Sequence, residues 1–304
     1  MSTIVRFPPA LGDWVRGHLD EGVAPAELRQ ALRERAIAAE AAQAIVDAFV
    51  RARLGQAPMP VDHVALPDPI APAASADPIG APPYRHETPR LRPGTSIATN
   101  DRVVGVAARA ARPMLAVLNG VFSADECEAL IALARGRLRP STLVDPTTGL
   151  DVVSGLRASH GRFFRPAETP LIARLDRRIA EIMNLPVSHG EGLQILHYPE
   201  GAGSAPHYDF LVPSNPANQA SIARSGQRVS TLVTYLNDVP AGGETLFPAA
   251  GWAVSPRRGH AVYFEYANGQ GELDHASLHA SGAVTQGEKW VATKWMRERP
   301  FVSA

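Results

Sequence analysis

The chain has 304 residues, of which 45% are hydrophobic, and its 30 basic and 30 acidic side chains cancel. That length supports one large domain, or one with a smaller appendage, and zero net charge offers no electrostatic footprint for nucleic acid or an anionic membrane. A single cysteine, Cys127, excludes an intramolecular disulfide framework and any thiolate cluster. The first ten residues lack an apolar stretch of signal-peptide length, and no apolar run of about 18 residues occurs. A soluble, cytoplasmic protein is therefore expected. Of the 30 basic residues 28 are arginine, and the two lysines, Lys289 and Lys294, stand five residues apart.

In chain order, residues 1–55 read as a small helical segment. Leu28, Leu32, Ile45, Val46, Phe49 and Val50 recur at roughly helical spacing, Pro25 suits a first turn, and Gly22 a break before it. Two or three short helices are expected, acting as a packing appendage or a route to a homo-oligomer. Residues 56–96 carry ten prolines, which remove backbone donors and favour extended chain. This stretch reads as a Pro/Ala-rich linker without a packed element.

Residues 97–304 change texture to short β-rich runs between Gly, Pro, Asn and Asp. Strands are predicted over Val103–Ala107, Met114–Leu118, Gly192–Tyr198, Val229–Leu236, Ala261–Glu265 and Trp290–Met296. A helix over Asp125–Arg135 has Ser123 as N-cap and Glu126 at the capping-box position. A second helix, Pro170–Met183, gathers Leu171, Ile172, Leu175, Ile179 and Ile182 on one face. The pattern is that of an α+β domain whose β part closes as a sandwich or barrel.

The chemistry concentrates in His207-Tyr208-Asp209, then His279, then Lys289. On a strand, His207 and Asp209 point to one face while Tyr208 faces away. Two imidazoles and a carboxylate on one face of an ion form the triad of non-haem Fe(II) oxygenases, which leaves three positions open. Alone, a His-x-Asp pair suits a surface loop equally well. The flanking sequence adds a sharp loop, Gly201–Pro206, and turn-plus-strand segments at Ala241–Pro248 and Pro256–Phe264.

These segments resemble the prolyl 4-hydroxylase family of Fe(II)- and 2-oxoglutarate-dependent dioxygenases, in the soluble form known from bacteria. The resemblance rests on Tyr198, His207-Tyr208-Asp209-Phe210, Arg228-Val229-Ser230-Thr231, Tyr235-Leu236-Asn237-Asp238-Val239, Gly242-Gly243-Glu244-Thr245, Leu278-His279-Ala280 and Gly287-Glu288-Lys289-Trp290. Lys294-Trp295 and Arg297 extend it, and it spans about residues 112–301 in the family's order. It implies a double-stranded β-helix (jelly-roll) core with flanking helices. It also implies Fe(II) held by His207, Asp209 and His279, with His279 chosen over His275 because it stands ten positions before Lys289. As cosubstrates it implies 2-oxoglutarate and O₂, with ascorbate as a candidate reductant.

Lys289 would meet the distal 2-oxoglutarate carboxylate as a point donor on a long stem, helped by the hydroxyls of Tyr198 and Thr231. For Thr231, a plain strand threonine is the alternative. On the last strand Lys289, Val291, Thr293 and Trp295 share one face, so Lys294 is expected outward and solvated. Arg157, Ser159, Phe163, Glu191 and Trp295 match positions that line the substrate groove in relatives. Glu191 and Tyr198 fall on opposite faces by strict alternation, so both point inward only if the strand starts late or bulges. Where relatives acting on peptidyl proline carry a tyrosine, this chain has Ser204, which removes an aromatic surface from the mouth of the site.

The expected activity is hydroxylation of an unactivated C–H bond, foremost of a prolyl residue in a peptide or protein. Two alternatives stay open: the same chemistry on a free amino acid or other small molecule, and a non-catalytic module that binds proline-rich peptides. A zinc hydrolase lacks an obvious general base beside the triad. Neither nucleic acid nor membrane is an expected partner.

Overall fold

The computed structural model describes residues 4–35, 37–53, 58–65, 84–140, 142–144, 151–153 and 159–303. The chain divides into two compact units, Met1–Ala71 and Pro72–Ala304. In the first unit strand β1 (Ile4–Arg6) leads into helices α1 (Pro9–Asp20), α2 (Pro25–Glu34) and α3 (Ala39–Arg53). Proline opens both α1 and α2, where a missing N–H costs nothing. Val15, Leu19, Leu28, Leu32, Ile45, Val46 and Phe49 form this unit's apolar core. Strand β2 (His63–Ala65) closes the unit by antiparallel pairing with β1, Val5 opposite Val64.

The stretch read as a structureless linker is thus shorter than the proline count suggested. Its start supplies β2, and its end packs into the second unit. There Glu265 accepts backbone N–H bonds from Arg90 at 2.8 Å and Leu91 at 3.3 Å, Arg85 pairs with Glu272 at 2.7 Å, and Leu91 is buried. Prolines 89 and 93 are tolerated there because the donors that must be satisfied belong to their neighbours. Residues 66–83 lie outside the described set.

The second unit begins with strands β3 (Ser96–Ala98), β4 (Val103–Ala110) and β5 (Leu115–Asn119), followed by α4 (Ala124–Arg135). Short strands β6 (Arg139–Pro140), β7 (Thr142–Val144) and β8 (Asp151–Val153) precede β9 (His160–Phe164) and α5 (Pro170–Met183). Next come β10 (Leu193–Tyr198), β11 (Ser204–His207), α6 (Pro216–Ser225), β12 (Arg228–Tyr235) and β13 (Ala241–Gly242). The chain then forms β14 (Thr245–Phe247), β15 (Trp252–Val254), β16 (Ala261–Glu265), β17 (His279–Ser281), β18 (Val284–Gln286) and β19 (Lys289–Arg297).

Among the described residues these strands make a nine-stranded sheet, ordered β3-β4-β5-β16-β12-β19-β10-β9-β6, and a four-stranded sheet, ordered β11-β17-β14-β15. Every pairing in both sheets is antiparallel. From β10 onward the chain passes back and forth between the sheets, with the hairpin β14–β15 in the small one and β13 paired with β18 in a separate two-stranded ribbon, which is the winding of a jelly roll. The large sheet has two buried faces. Trp290, Ala292 and Met296 of β19 share a core with α4 (Cys127, Leu130, Ala134) and α5 (Ile172, Leu175, Ile179, Met183). On the opposite face Leu196, Tyr198, Tyr235, Phe264 and Val291 share a core with Phe247 and Val254 of the small sheet. Burial on both faces explains why β10, β12, β16 and β19 read as near-continuous apolar runs.

Helix α4 carries the expected capping box, with Ser123 accepting from the Glu126 N–H at 3.2 Å and Glu126 accepting from the Ser123 N–H at 2.9 Å. Glu126 also receives two 2.7 Å bonds from Arg178 of α5, which ties the two helices together. Burial would raise the Glu126 carboxyl, but Arg178 and the Ser123 N–H outweigh it and bring its pKa to about 2.

Lys294 overturns an expectation. Strand alternation does turn it away from Lys289, but that face is covered by α5 rather than by water. Its Nζ lies 2.7 Å from Asp176 Oδ1, with side-chain exposures of 2% and 3%. Alternation along a strand names a face and says nothing about what covers it.

Candidate active site and metal centre

His207, Asp209 and His279 converge, their candidate ligand atoms all within 4.8 Å of one another. Asp209 Oδ1 is 3.9 Å from His207 Nε2, Asp209 Oδ2 is 3.7 Å from His279 Nε2, and the two imidazole centroids are 4.4 Å apart. Strand alternation delivers only part of this. His207 is the last residue of β11, and Asp209 lies in the bend beyond it. His279 opens β17, directly opposite His207 in the antiparallel register. Tyr208, between the ligands, turns aside to stack on Phe210 at 4.6 Å, and His275 meets both rings edge-on. His275 is therefore a packing residue of the ligand loop.

The donor set suits a divalent transition metal. His207 Nδ1 lies 2.9 Å from the Ala205 carbonyl and His279 Nδ1 3.0 Å from the Ser277 carbonyl. A carbonyl only accepts, so each Nδ1 carries a proton, which leaves Nε2, turned inward, as the atom that would ligate a metal. The Asp209 carboxyl is 6% exposed. Burial pushes its pKa up, while His279, His207, Arg228 and the Thr231 hydroxyl together pull it below the ordinary value. Two imidazoles with Nε2 turned inward and one carboxylate on one side of a point are the ligand set expected for non-haem Fe(II).

A cavity opens beside the triad, lined by Leu196, Tyr198, Ser204, Val233, Thr245, Ser281, Lys289, Val291 and Trp295 as well as the three ligands. Lys289, 2% exposed, pairs in register with Tyr198, and its Nζ sits 4.5 Å from the Tyr198 ring centroid. The ammonium donates to the Gly243 carbonyl at 2.8 Å and to the Ser281 hydroxyl. Among the described residues it has no salt-bridge partner. Burial pushes its pKa down to about 7, with Glu244 opposing the shift. Gly242 and Gly243 both have positive φ, and a Cβ on Gly242 would lie 2.2 Å from the Ala283 carbonyl oxygen. Only glycine at position 242 lets this turn approach so closely.

Other expected site residues fall elsewhere. Thr231 lies outside the cavity lining; its hydroxyl donates to Asp209 Oδ2 at 2.8 Å, so it supports the carboxylate ligand instead of facing Lys289. Ser281 and Thr245, which the sequence reading missed, line the cavity where Thr231 was expected. Glu191 is buried and also absent from the lining: both of its oxygens take Arg228, at 2.7 and 2.8 Å, and Oε1 takes Arg297 at 3.1 Å. Two arginines saturate it, so it orients Arg228, whose guanidinium carbon lies 4.2 Å from the Trp295 ring centroid. The late strand start foreseen for Glu191 is present, since β10 begins at Leu193.

Trp295 faces the cavity and stacks at 6.0 Å on Phe163, which is 52% exposed. Ser159 is buried on the approach to β9. Arg157 lies outside the described residues. The Ser204 hydroxyl accepts the Ser281 N–H at 3.0 Å and so joins β11 to β17 at the cavity wall.

Residues 193–297 match the family model of the 2OG-Fe(II) oxygenase superfamily. The chain is 38% identical over 203 residues to a probable prolyl 4-hydroxylase 3 of Arabidopsis thaliana, covering 60% of this chain and 69% of that protein. The chain belongs to the prolyl 4-hydroxylase family. Prolyl 4-hydroxylase 1 of the same plant is 39% identical over 202 residues, 62% of this chain and 70% of its own length. A solved relative, the viral collagen prolyl hydroxylase of Paramecium Bursaria Chlorella virus-1 in its 2OG complex, is 26% identical with a TM-score of 0.47. That match covers 60% of this chain and 95% of the viral one. As a member of this family the chain is a 2-oxoglutarate-dependent dioxygenase that uses Fe(II), 2-oxoglutarate and O₂.

Proposed function

We propose that the chain hydroxylates prolyl residues within a peptide or protein. The observation that carries this reading is the junction of the two-histidine, one-carboxylate cluster with an aromatic pair, buried Trp295 in the cavity wall and half-exposed Phe163 stacked on it. The cluster lies inside the cavity, and the aromatic pair leads from it to the surface. A flat aromatic wall suits the ring of a prolyl residue, and half-exposed Phe163 leaves room for chain on either side of it.

In this reading His207, Asp209 and His279 hold Fe(II), and Lys289 receives the distal carboxylate of 2-oxoglutarate with Tyr198 and Ser281 beside it. When bound, Fe(II) lets O₂ and 2-oxoglutarate convert a substrate C–H to C–OH, with succinate and CO₂ as the other products. The protein's own part is positional. Backbone carbonyls of Ala205 and Ser277 fix the imidazole tautomers, Lys289 sets the depth of the cosubstrate, and Leu196, Val233 and Val291 keep water from the reacting centre. The single cysteine has no partner in the chain for a disulfide, which suits a reducing compartment, so we assign the chain to the soluble, cytoplasmic type.

Incubation of the Fe(II)-loaded protein with 2-oxoglutarate, O₂ and proline-rich peptides should yield peptides heavier by one oxygen on proline, with matching succinate. Succinate formed only with free amino acids would move the substrate to small molecules. Peptide binding that persists without metal, with no succinate at all, would leave a binding module.

A further inference from the structure

Thr231 is not the last link in the chain of contacts behind Asp209. Its hydroxyl oxygen lies 3.0 Å from the Tyr266 hydroxyl and 2.8 Å from Asp209 Oδ2, and Thr231 and Tyr266 are both 0% exposed. The proton directions follow from valence. A carboxylate accepts only, so the single Thr231 proton is spent on Asp209. The Thr231 oxygen must then accept from Tyr266, whose phenol supplies the remaining proton. The ordered sequence is Tyr266 O–H to Thr231 O–H to Asp209 Oδ2.

We propose that Tyr266 is a positioning residue of the metal site, acting on Asp209 through Thr231. Without the phenol, the Thr231 rotor has no group to hold its lone pair and can swing its proton away from the carboxylate. With it, each bond polarises the next, and the Asp209 carboxylate is kept in one rotation about its own axis. Among the described residues Tyr266 makes no hydrogen bond to a ligand itself; its hydroxyl meets Thr231. Its ring is packed independently of its hydroxyl, 5.8 Å from Phe264 and 6.2 Å from Phe210, both tilted. Tyr266→Phe therefore removes the proposed function while leaving the packing in place.

This inference rests on the proposed metal role of Asp209, and the experiment separates the two. Co(II) is titrated anaerobically into wild type, Tyr266→Phe, Thr231→Val, Thr231→Ser and the double variant Tyr266→Phe/Thr231→Val, following the visible d–d bands. Thermal unfolding of each metal-free protein checks the fold. Outer partners of metal ligands typically contribute about 10–100-fold in affinity. Thr231→Val should weaken Co(II) by an amount in that range, and Thr231→Ser should restore it. Tyr266→Phe should weaken Co(II) several-fold with a shifted band, and the double variant should be no weaker than Thr231→Val alone, because the Tyr266 hydroxyl reaches Asp209 by hydrogen bond only through Thr231, and phenylalanine keeps the ring packing. Wild-type affinity and spectrum in Tyr266→Phe would overturn the inference, as would losses that simply add in the double variant. If wild type itself takes no Co(II), the metal role of Asp209 fails, and the proposal for Tyr266 falls with it.

Discussion

Replacing Lys294 by alanine leaves the Asp176 carboxylate facing a hole inside the protein. The pair joins β19 to α5 at 2.7 Å with both side chains at most 3% exposed, and Asp176 Oδ2 also accepts the Ala167 N–H at 3.0 Å. Removing one partner of such a buried pair costs about 3–5 kcal/mol, because the other charge is left without compensation. In a unit of this size each kcal/mol moves Tm by roughly 2–4 °C, so a fall of roughly 6–20 °C is expected. Lys294→Arg should not be neutral either. A methyl group on Gly190 would lie only 2.6 Å from Lys294 Cε, so the stem is tightly enclosed and the wider guanidinium must displace it. Overpacking of this kind costs about 1–3 kcal/mol. Removing both charges, as Lys294→Met with Asp176→Asn, should recover more than half of the alanine loss, since Asn can still accept from Ala167. Differential scanning calorimetry of the metal-free proteins decides the matter. A Tm for Lys294→Ala within about 2 °C of wild type, the range of an exposed pair worth under about 1 kcal/mol, would contradict a buried, stabilising Lys294–Asp176 pair.

Three further outcomes follow from the site. Lys289→Ala should raise the 2-oxoglutarate dissociation constant strongly while leaving anaerobic Co(II) binding within a few-fold; equal loss of both would place Lys289 in the metal site instead. Lys289 titrates near 7 in the cosubstrate-free protein because burial disfavours its charge, against an ordinary 10.5. Between those values the unfolded chain binds more protons than the native one, so this group's contribution to cosubstrate-free stability rises with pH across that window. Over the same window 2-oxoglutarate affinity should fall by up to about tenfold per pH unit, since a dicarboxylate needs the protonated amine. Calorimetry in buffers of different ionisation enthalpy should detect the proton taken up on binding, and a pH-independent affinity between 7 and 9 would contradict the assignment. Finally, Phe163→Ala should raise the KM for a proline-rich peptide and spare the 2-oxoglutarate KM, as checked by steady-state succinate release.

The strands that carry the site were legible for a physical reason. β10, β12, β16 and β19 are buried on both faces, and their apolar runs are long enough to stand out between Gly and Pro punctuation. β11 was hidden because Ser204-Ala205-Pro206-His207 has no apolar alternation and contains a proline. It is an edge strand of the small sheet, where a missing donor is tolerated, and it exists by virtue of its partner β17. Helix α6 had its signals in plain view, Asn215 as N-cap, Pro216 in the first turn and Gly226 at its end, but lacks an apolar stripe to draw attention to them.

At the site, His207 and Asp209 were readable as a pair from residue type and spacing, and the resemblance to the family added His279. The side chains behind them were not. Lys294 was placed by alternation and Thr231 and Glu191 by the family resemblance, and each spends its polar group on a partner distant in sequence: Asp176, Asp209 and Arg228. Strand period gives a side chain's face, whereas the acceptor it meets depends on loops and helices folded over that face.

Product formation is the decisive measurement for prolyl hydroxylation by this site. Protein loaded with Fe(II) and given 2-oxoglutarate, O₂ and a proline-rich peptide should give peptide carrying one added oxygen on proline and an equal amount of succinate. Both should vanish in His279→Ala at unchanged fold. Unmodified peptide from wild-type protein that demonstrably binds Fe(II) and 2-oxoglutarate, or modified peptide from His279→Ala, would contradict it.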